Sequence, residues 1–331
     1  MKLFYVLLFL FILLGCSFDK KTGIWKNENQ LDKKSQNFKE FKTIKEDKNR
    51  FNEEIELKKN FSFFISKKIN NTSWEDIFYN QFNNYDNFSY NEEKNLIFKG
   101  KKISKYKLNK RFLYDDGNLI LADNRGNLII FSIKKNKIIS KFNFYKKKYR
   151  KIIKSLNLVI KENVIYVSDN LGFIYAIDYK NDKILWAKDN KVPFRSNLKI
   201  ENNKLITTDQ NNIIYFFNKN DGNVLKLIPT EETKIKNDFK NNFALNNSSI
   251  FMLNTYGSLY SINKKGNNVE WMVNLNQSLD VNTSNLFNGH QLTSNENYII
   301  VSSQDSTYVI NSTNGEIKSK FNIISKIKPL I

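Results

Sequence analysis

Few residues in this 331-residue chain have both the chemistry and the spacing to catalyse or coordinate anything. Cys16 is the only cysteine, so a disulfide within one copy is impossible. His290, in Asn288-Gly289-His290, is the only histidine. One histidine cannot build a multi-histidine metal site, no Ser or Cys has a base partner in sequence, and the flanking residues read as a loop. Asn218-Lys219-Asn220-Asp221-Gly222 has the opening spacing of a calcium loop, but the later acidic ligand is missing and a hairpin turn is the expected reading. Tyr145-Lys146-Lys147-Lys148-Tyr149-Arg150-Lys151 is the densest basic run. Its aromatics and cations suit nucleic acid or lipid head groups, and the preferred reading is a solvated loop between repeats.

Composition sets the background for these residues. Lys and Arg outnumber Asp and Glu by 53 to 33, a net charge of +20, while 40% of residues are hydrophobic and 14% aromatic. Such a chain buries a substantial core. Its Lys, Asn, Ile and Phe are abundant and its Pro, Gly, Ala and His scarce, the bias of an AT-rich genome, so the charge alone does not identify a partner.

Cys16 gains meaning from what precedes it. Lys2 is followed by an unbroken apolar run from Leu3 to Leu14, too short to span a bilayer and the right length for a signal-peptide core. The junction Leu13-Leu14-Gly15-Cys16 resembles a bacterial lipobox, although Leu14 is larger than the residue usual there. The resemblance implies cleavage before Cys16, diacylation of its thiol, and export. Two acyl chains anchor stably where one binds only marginally. Ser17 stands where a retention signal for the inner membrane would place Asp, so the resemblance implies the outer membrane, facing the periplasm, where nucleic acid is not a partner. Residues 16–60 then read as a lipidated N-terminus and polar tether, with a short helical stretch over residues 37–57 and Trp25 as an apolar staple.

From residue 61 onward short apolar runs are broken by Asn, Asp and Gly without helical periodicity, the pattern of an all-β region over residues 61–331. A phrase recurs five times, anchored on Ser132, Asp178, Asn218, Asn263 and Asn311, at spacings of 46, 40, 45 and 48 residues. Four residues after each anchor stand Asn136, Asp182, Gly222, Asn267 and Gly315, all tolerant of a left-handed backbone. Two further on come Ile138, Ile184, Val224, Val269 and Ile317, which re-enter a strand. A four-stranded antiparallel unit at this period is a β-propeller blade.

Ala176-Ile177-Asp178 followed by Trp186 resembles the PQQ-like repeat, and Trp271 stands eight residues after Asn263 as Trp186 does after Asp178. Ser140, Lys226 and Ser319 replace the tryptophan in the other copies, which must pack differently. With the lipobox and tether, the chain resembles the BamB-like lipoproteins of the outer-membrane β-barrel assembly machinery. That resemblance implies a non-catalytic scaffold with no cofactor and no metal. It would bind the barrel-inserting subunit and unfolded outer-membrane chains, with strand addition as the mechanism. Propeller lipoproteins that hold a polysaccharide or peptide are the alternative. Quinoprotein dehydrogenases share the repeat but use a vicinal cysteine pair that a lone Cys16 cannot supply. Eight blades need about 360 residues, so five to six are expected here, in an open or C-terminally truncated ring with two exposed sheet edges.

Overall fold

The computed structural model of the chain describes residues 16–18, 25–27, 67–70, 73–88, 99–100, 102–232, 240–276, 287, 289, 292–303, 306–323 and 329–331. Two compact units divide it, Met1–Phe64 and Ile65–Ile331. In the first, Cys16–Phe18 pairs antiparallel with Trp25–Asn27, so part of the stretch read as a tether is a strand pair. The apolar run over residues 3–14 and the helical stretch over residues 37–57 lie outside the described residues.

The second unit is all-β and consists of five sheets in chain order. Blade 1 contains Leu113–Asp115, Asn118–Ala122, Asn127–Ser132 and Lys137–Asn143, with Ser73–Trp74 added as a fifth strand beside Leu113–Asp115. Blade 2 contains Leu156–Lys161, Val164–Asp169, Phe173–Asp178 and Lys183–Asp189. Blade 3 contains Lys199–Glu201, Lys204–Thr208, Ile214–Asn218 and Val224–Ile228. Blade 4 contains Asn242–Leu245, Ser249–Leu253, Ser258–Asn263 and Val269–Asn274. Blade 5 contains Thr293–Ser294, Tyr298–Ser302, Thr307–Asn311 and Ile317–Phe321. Each is an antiparallel meander, the product of hairpin turns between β-branched and aromatic runs.

Burial explains the sequence of each strand. In blades 1 to 4 the second and third strands are packed on both faces and read as nearly continuous apolar runs, as in Leu128-Ile129-Ile130-Phe131, whereas in blade 5 the alternate residues Ile300, Thr307 and Val309 are only half-buried. The fourth strands sit at the outside and expose most of their residues, with Trp186 the one buried side chain of Lys183–Asp189. Four hydrophobic cores lie between consecutive blades: Leu128 with Tyr175, Tyr166 with Phe217, Phe216 with Phe251's neighbour Ile250, and Phe251 with Ile310. The propeller is therefore a row of sheets glued face to face.

Alternating strand directions put two kinds of turn at opposite ends. Turns joining first to second and third to fourth strands form what we call the turn face. Turns joining second to third strands share the connection face with the links between blades.

Candidate binding surfaces

The repeat anchors all sit at the turn between third and fourth strands. Asp178 Oδ1 accepts the amides of Lys180 and Asn181, both at 3.1 Å, and Asn263 Oδ1 accepts those of Lys265 and Gly266, both at 2.9 Å. Asn311 accepts from Thr313 at 2.8 Å, Asn218 from Asn220 at 2.9 Å, and Ser132 Oγ from Lys135 at 3.3 Å. The residue four later has positive φ in every blade: Asn136 49°, Asp182 51°, Gly222 71°, Asn267 51° and Gly315 74°. The pairing register also shifts at the same place in each blade, just before the anchor.

Trp186 and Trp271 lock one blade to the next blade's turn. The Trp186 indole donates to Lys219 O at 2.9 Å and that of Trp271 to Ser312 O at 3.3 Å. Each ring lies on a glycine: a Cβ on Gly222 would fall 2.4 Å from Trp186, and one on Gly315 2.6 Å from Trp271. The blades lacking tryptophan use the same position differently. Ser140 Oγ donates to Asp182, and Lys226 Nζ donates to Gly266 O at 3.4 Å. Glycine thus stands in the turn where an indole must be received, and Asp or Asn where a polar side chain arrives.

Residues 73–88, which carry no repeat phrase, run along the inner strands. Their backbone carbonyls at Glu75, Gln81 and Phe82 accept from Ile160 at 2.9 Å, Leu245 at 2.9 Å and Ser294 at 3.0 Å, in blades 2, 4 and 5. Asn83 Nδ2 bridges Phe243 O at 2.7 Å and Leu292 O at 2.8 Å. The inner strand edges of blades 2, 4 and 5 are therefore covered by the chain itself along this stretch. At the centre Lys199 Nζ donates to Asp76 Oδ2 at 2.8 Å, Asn83 Oδ1 at 2.6 Å and Asn80 O at 2.9 Å, which uses all three ammonium protons. The two charged side chains are 1% and 5% exposed. Burial pulls the Lys199 ammonium below the ordinary lysine range, and the Asp76 carboxylate opposes that shift.

A cleft of about 950 Å³ opens on the turn face beside this segment. Four lysines and four carboxylates line it and pair off: Lys199 with Asp76 at 2.8 Å, Lys264 with Glu201 at 2.6 Å, Lys161 with Glu75 at 3.1 Å and Lys219 with Glu162 at 3.5 Å. In a chain of +20 this cleft is neutral.

The connection face is built on a second repeat that sequence reading missed. Asp123, Asp169, Asp209 and Asn254 end the second strands, at spacings of 46, 40 and 45 residues. Each is buried and takes two backbone amides on Oδ1; Asp169, for example, accepts from Leu171 and Phe173, both at 2.8 Å. Three residues later stand Gly126, Gly172, Asn212 and Gly257, all at positive φ. The signal was an Asp or Asn followed at that distance by Gly or Asn, as in Asp169-Asn170-Leu171-Gly172. Burial lifts the Asp169 and Asp209 carboxyls above the usual range despite these hydrogen bonds.

The basic run becomes part of a pocket there. Lys147, Arg150 and Lys151 line a cavity of about 660 Å³ with Lys105, Arg125, Lys141 and Lys154. Among the described residues no carboxylate lines it. Arg125 Nη1 donates to Arg150 O at 3.2 Å and Lys151 O at 2.7 Å, which fixes the link between blades 1 and 2. Lys154, 2% exposed, donates to Tyr149 O at 2.6 Å and Ile152 O at 3.0 Å, 4.8 Å from the Tyr145 ring. Burial, reinforced by Arg125, depresses its ammonium.

The remaining sequence candidates are quickly placed. Asn218 to Gly222 forms the outer turn of blade 3, whereas His290 lies outside the described residues. Among the described residues no group of three or more His, Cys, Asp or Glu is arranged to hold a metal, and no helix is long and apolar enough to cross a membrane.

Consecutive four-stranded meanders, stacked in an open row with a capped inner edge, define a β-propeller of PQQ-like repeats. The profile of the family described as outer membrane protein assembly factor BamB matches residues 102–319, well over half the chain, and the protein belongs to that family. Among solved structures it is similar to BamB from Moraxella catarrhalis, at 14% identity and TM-score 0.53, over 64% of this chain and 63% of that one. It is similar also to the computationally designed protein Ika8, at 8% identity and TM-score 0.51, over 64% of this chain and 60% of that one. A third is the quinohemoprotein alcohol dehydrogenase ADHIIG from Pseudomonas putida HK5, at 12% identity and TM-score 0.50, over 65% and 42% of the two chains. At these identities the likeness concerns the fold alone, and the chain spans less than two thirds of the BamB structure. No protein with a curated description matches the sequence.

Proposed function

We propose that this protein is a non-catalytic scaffold of the outer-membrane β-barrel assembly machinery, held on the periplasmic side of the outer membrane by lipid on Cys16. It binds the barrel-inserting subunit and unfolded outer-membrane chains. The family match over residues 102–319 carries this reading, and the lipobox-like junction at Cys16 supports the location. The outer strands have no further strand partner among the described residues, and on blade 3 Val224, Leu225 and Leu227 are exposed beside that edge. An extended client pairing there would gain sequence-tolerant backbone hydrogen bonds and bury alternate side chains.

Crosslinking in native outer membranes followed by affinity capture tests the reading. A barrel-inserting protein should be recovered, and its absence would overturn the assembly role. Cys16→Ser should move the protein from the membrane to the soluble periplasmic fraction. Because an alcohol dehydrogenase shares the fold, dye-linked alcohol oxidation with added quinone and calcium forms a second arm, and turnover there would refute the non-catalytic assignment.

A further inference from the structure

We infer that the connection-face pocket between blades 1 and 2 binds a phosphate-bearing anion, either the head group of an anionic lipid or a small soluble phosphate. The inference is independent of the assembly role. Segregation of charge is the first observation behind it. On the turn face every lysine of the axial cleft has a carboxylate within 3.5 Å. In the connection-face pocket seven cationic side chains meet with no carboxylate on the lining and no ion pair among the described residues. A composition rich in lysine adds cations everywhere; it does not pair them in one pocket and leave them unpaired in another.

The donors are also held in place. Arg125 uses Nη1 on the carbonyls of Arg150 and Lys151, which orients its plane and leaves Nη2 and Nε without a hydrogen bond among the described residues. A fixed guanidinium fork suits two oxygens of a phosphate better than a free lysine does. Those contacts fasten the link that presents Lys147, Arg150 and Lys151. Lys154 is pinned from below by two carbonyls, so one of its ammonium protons remains. Gathering these charges is unfavourable without a counter-ion, and an anion in the pocket reverses the sign of that interaction.

The walls supply a place for the rest of the ligand. Tyr145 lines one side, and its hydroxyl is turned away to Asp169. Tyr106 lines another, with the Lys105 ammonium 5.1 Å and the Arg125 guanidinium 5.7 Å from its ring. At about 660 Å³ the cavity holds a glycerophosphate head group rather than a bare ion alone.

Titration calorimetry on the full chain at low ionic strength tests this with three probes: inorganic phosphate, dibutyryl phosphatidylglycerol and dibutyryl phosphatidylcholine. Saturable binding of the first two is expected. Lys147→Ser/Arg150→Ser/Lys151→Ser should weaken it at least about tenfold, the loss expected from removing charge-assisted hydrogen bonds. Lys134→Ser/Lys135→Ser/Lys137→Ser removes the same charge from the exposed turn face of blade 1 and should change it less than about twofold. Lys105→Ser, from a separate segment, serves as a second pocket variant, and circular dichroism checks each fold. Tighter phosphatidylglycerol than phosphate supports the lipid source; equal or tighter phosphate supports the soluble one. No saturable binding, equal loss in the two triple variants, or equal binding of phosphatidylcholine overturns the inference.

Discussion

The two ends of the same blades treat charge in opposite ways. In the turn-face cleft the four lysines are matched one to one with carboxylates, and the deepest pair, Lys199 with Asp76, is almost fully buried. In the connection-face pocket no carboxylate among the described residues reaches the lining: Asp123 and Asp169 lie beneath it, accept backbone amides and act on the buried Lys154 ammonium from below, while the exposed cations have no ion pair among the described residues. A buried charge without a partner is costly, so the matched end is doing structural duty. Lys147, Arg150 and Lys151 are exposed and cost little in stability, so that part of the pocket is free to vary or to serve a ligand. Net charge on a propeller therefore says less than where its carboxylates stand relative to its cations.

The largest test of this contrast is Asp76→Ala. It strands Lys199 in the core and removes the acceptor for the Phe78 amide, so a loss of about 3–5 kcal/mol in chemical denaturation is expected. Asp76→Ala/Lys199→Met, with no charge left to bury, should regain most of that loss. If the single variant is as stable as the native protein, the turn face is not held by its ion pairs. Next comes Trp186→Ala, which empties the lock between blades 2 and 3 and should cost about 3 kcal/mol. Ser140→Ala, at the equivalent polar junction, should cost about 1 kcal/mol or less, since a surface hydrogen bond contributes little. Equal effects at the two junctions would show that the indole is not what tightens the row. Smaller still, Lys147→Ser/Arg150→Ser/Lys151→Ser should alter stability by no more than about 0.5 kcal/mol, because all three side chains are exposed.

Legibility followed the same division. The blades are readable because each outer turn repeats its anchor and, four positions later, its left-handed residue, as Asp178 and Asp182 do. The inner turn repeats on the same spacing, yet Asp169 and Gly172 sit between two apolar runs and pass for an ordinary loop. Residues 73–88 carry no signal at all, since the partners of Asp76 and Asn83 lie 123 and 160 residues further along the chain. Of the seven cations of the pocket, the sequence showed only the three in the basic run. Lys105, Arg125, Lys141 and Lys154 join Lys147, Arg150 and Lys151 through blade packing, which a linear pattern does not encode.

The finest test concerns the acids beneath the connection face. Burial raises the Asp169 carboxyl above its ordinary value, which is near 4 in an unfolded chain. The folded state therefore holds that proton more tightly than the unfolded state does. The stability this contributes is complete below the unfolded value and is lost as pH rises through the folded one. Asp169→Asn removes the titration but keeps an oxygen for the Leu171 and Phe173 amides, and blade 4 already uses Asn254 in this role. At neutral pH the variant should thus lie within about 1 kcal/mol of the native protein. Its stability should fall less between pH 4 and neutrality than that of the native protein. Denaturation midpoints measured across that range decide the matter. A variant with an unchanged pH profile would mean that Asp169 titrates alike in both states and that its burial beneath the cations does not hold its proton.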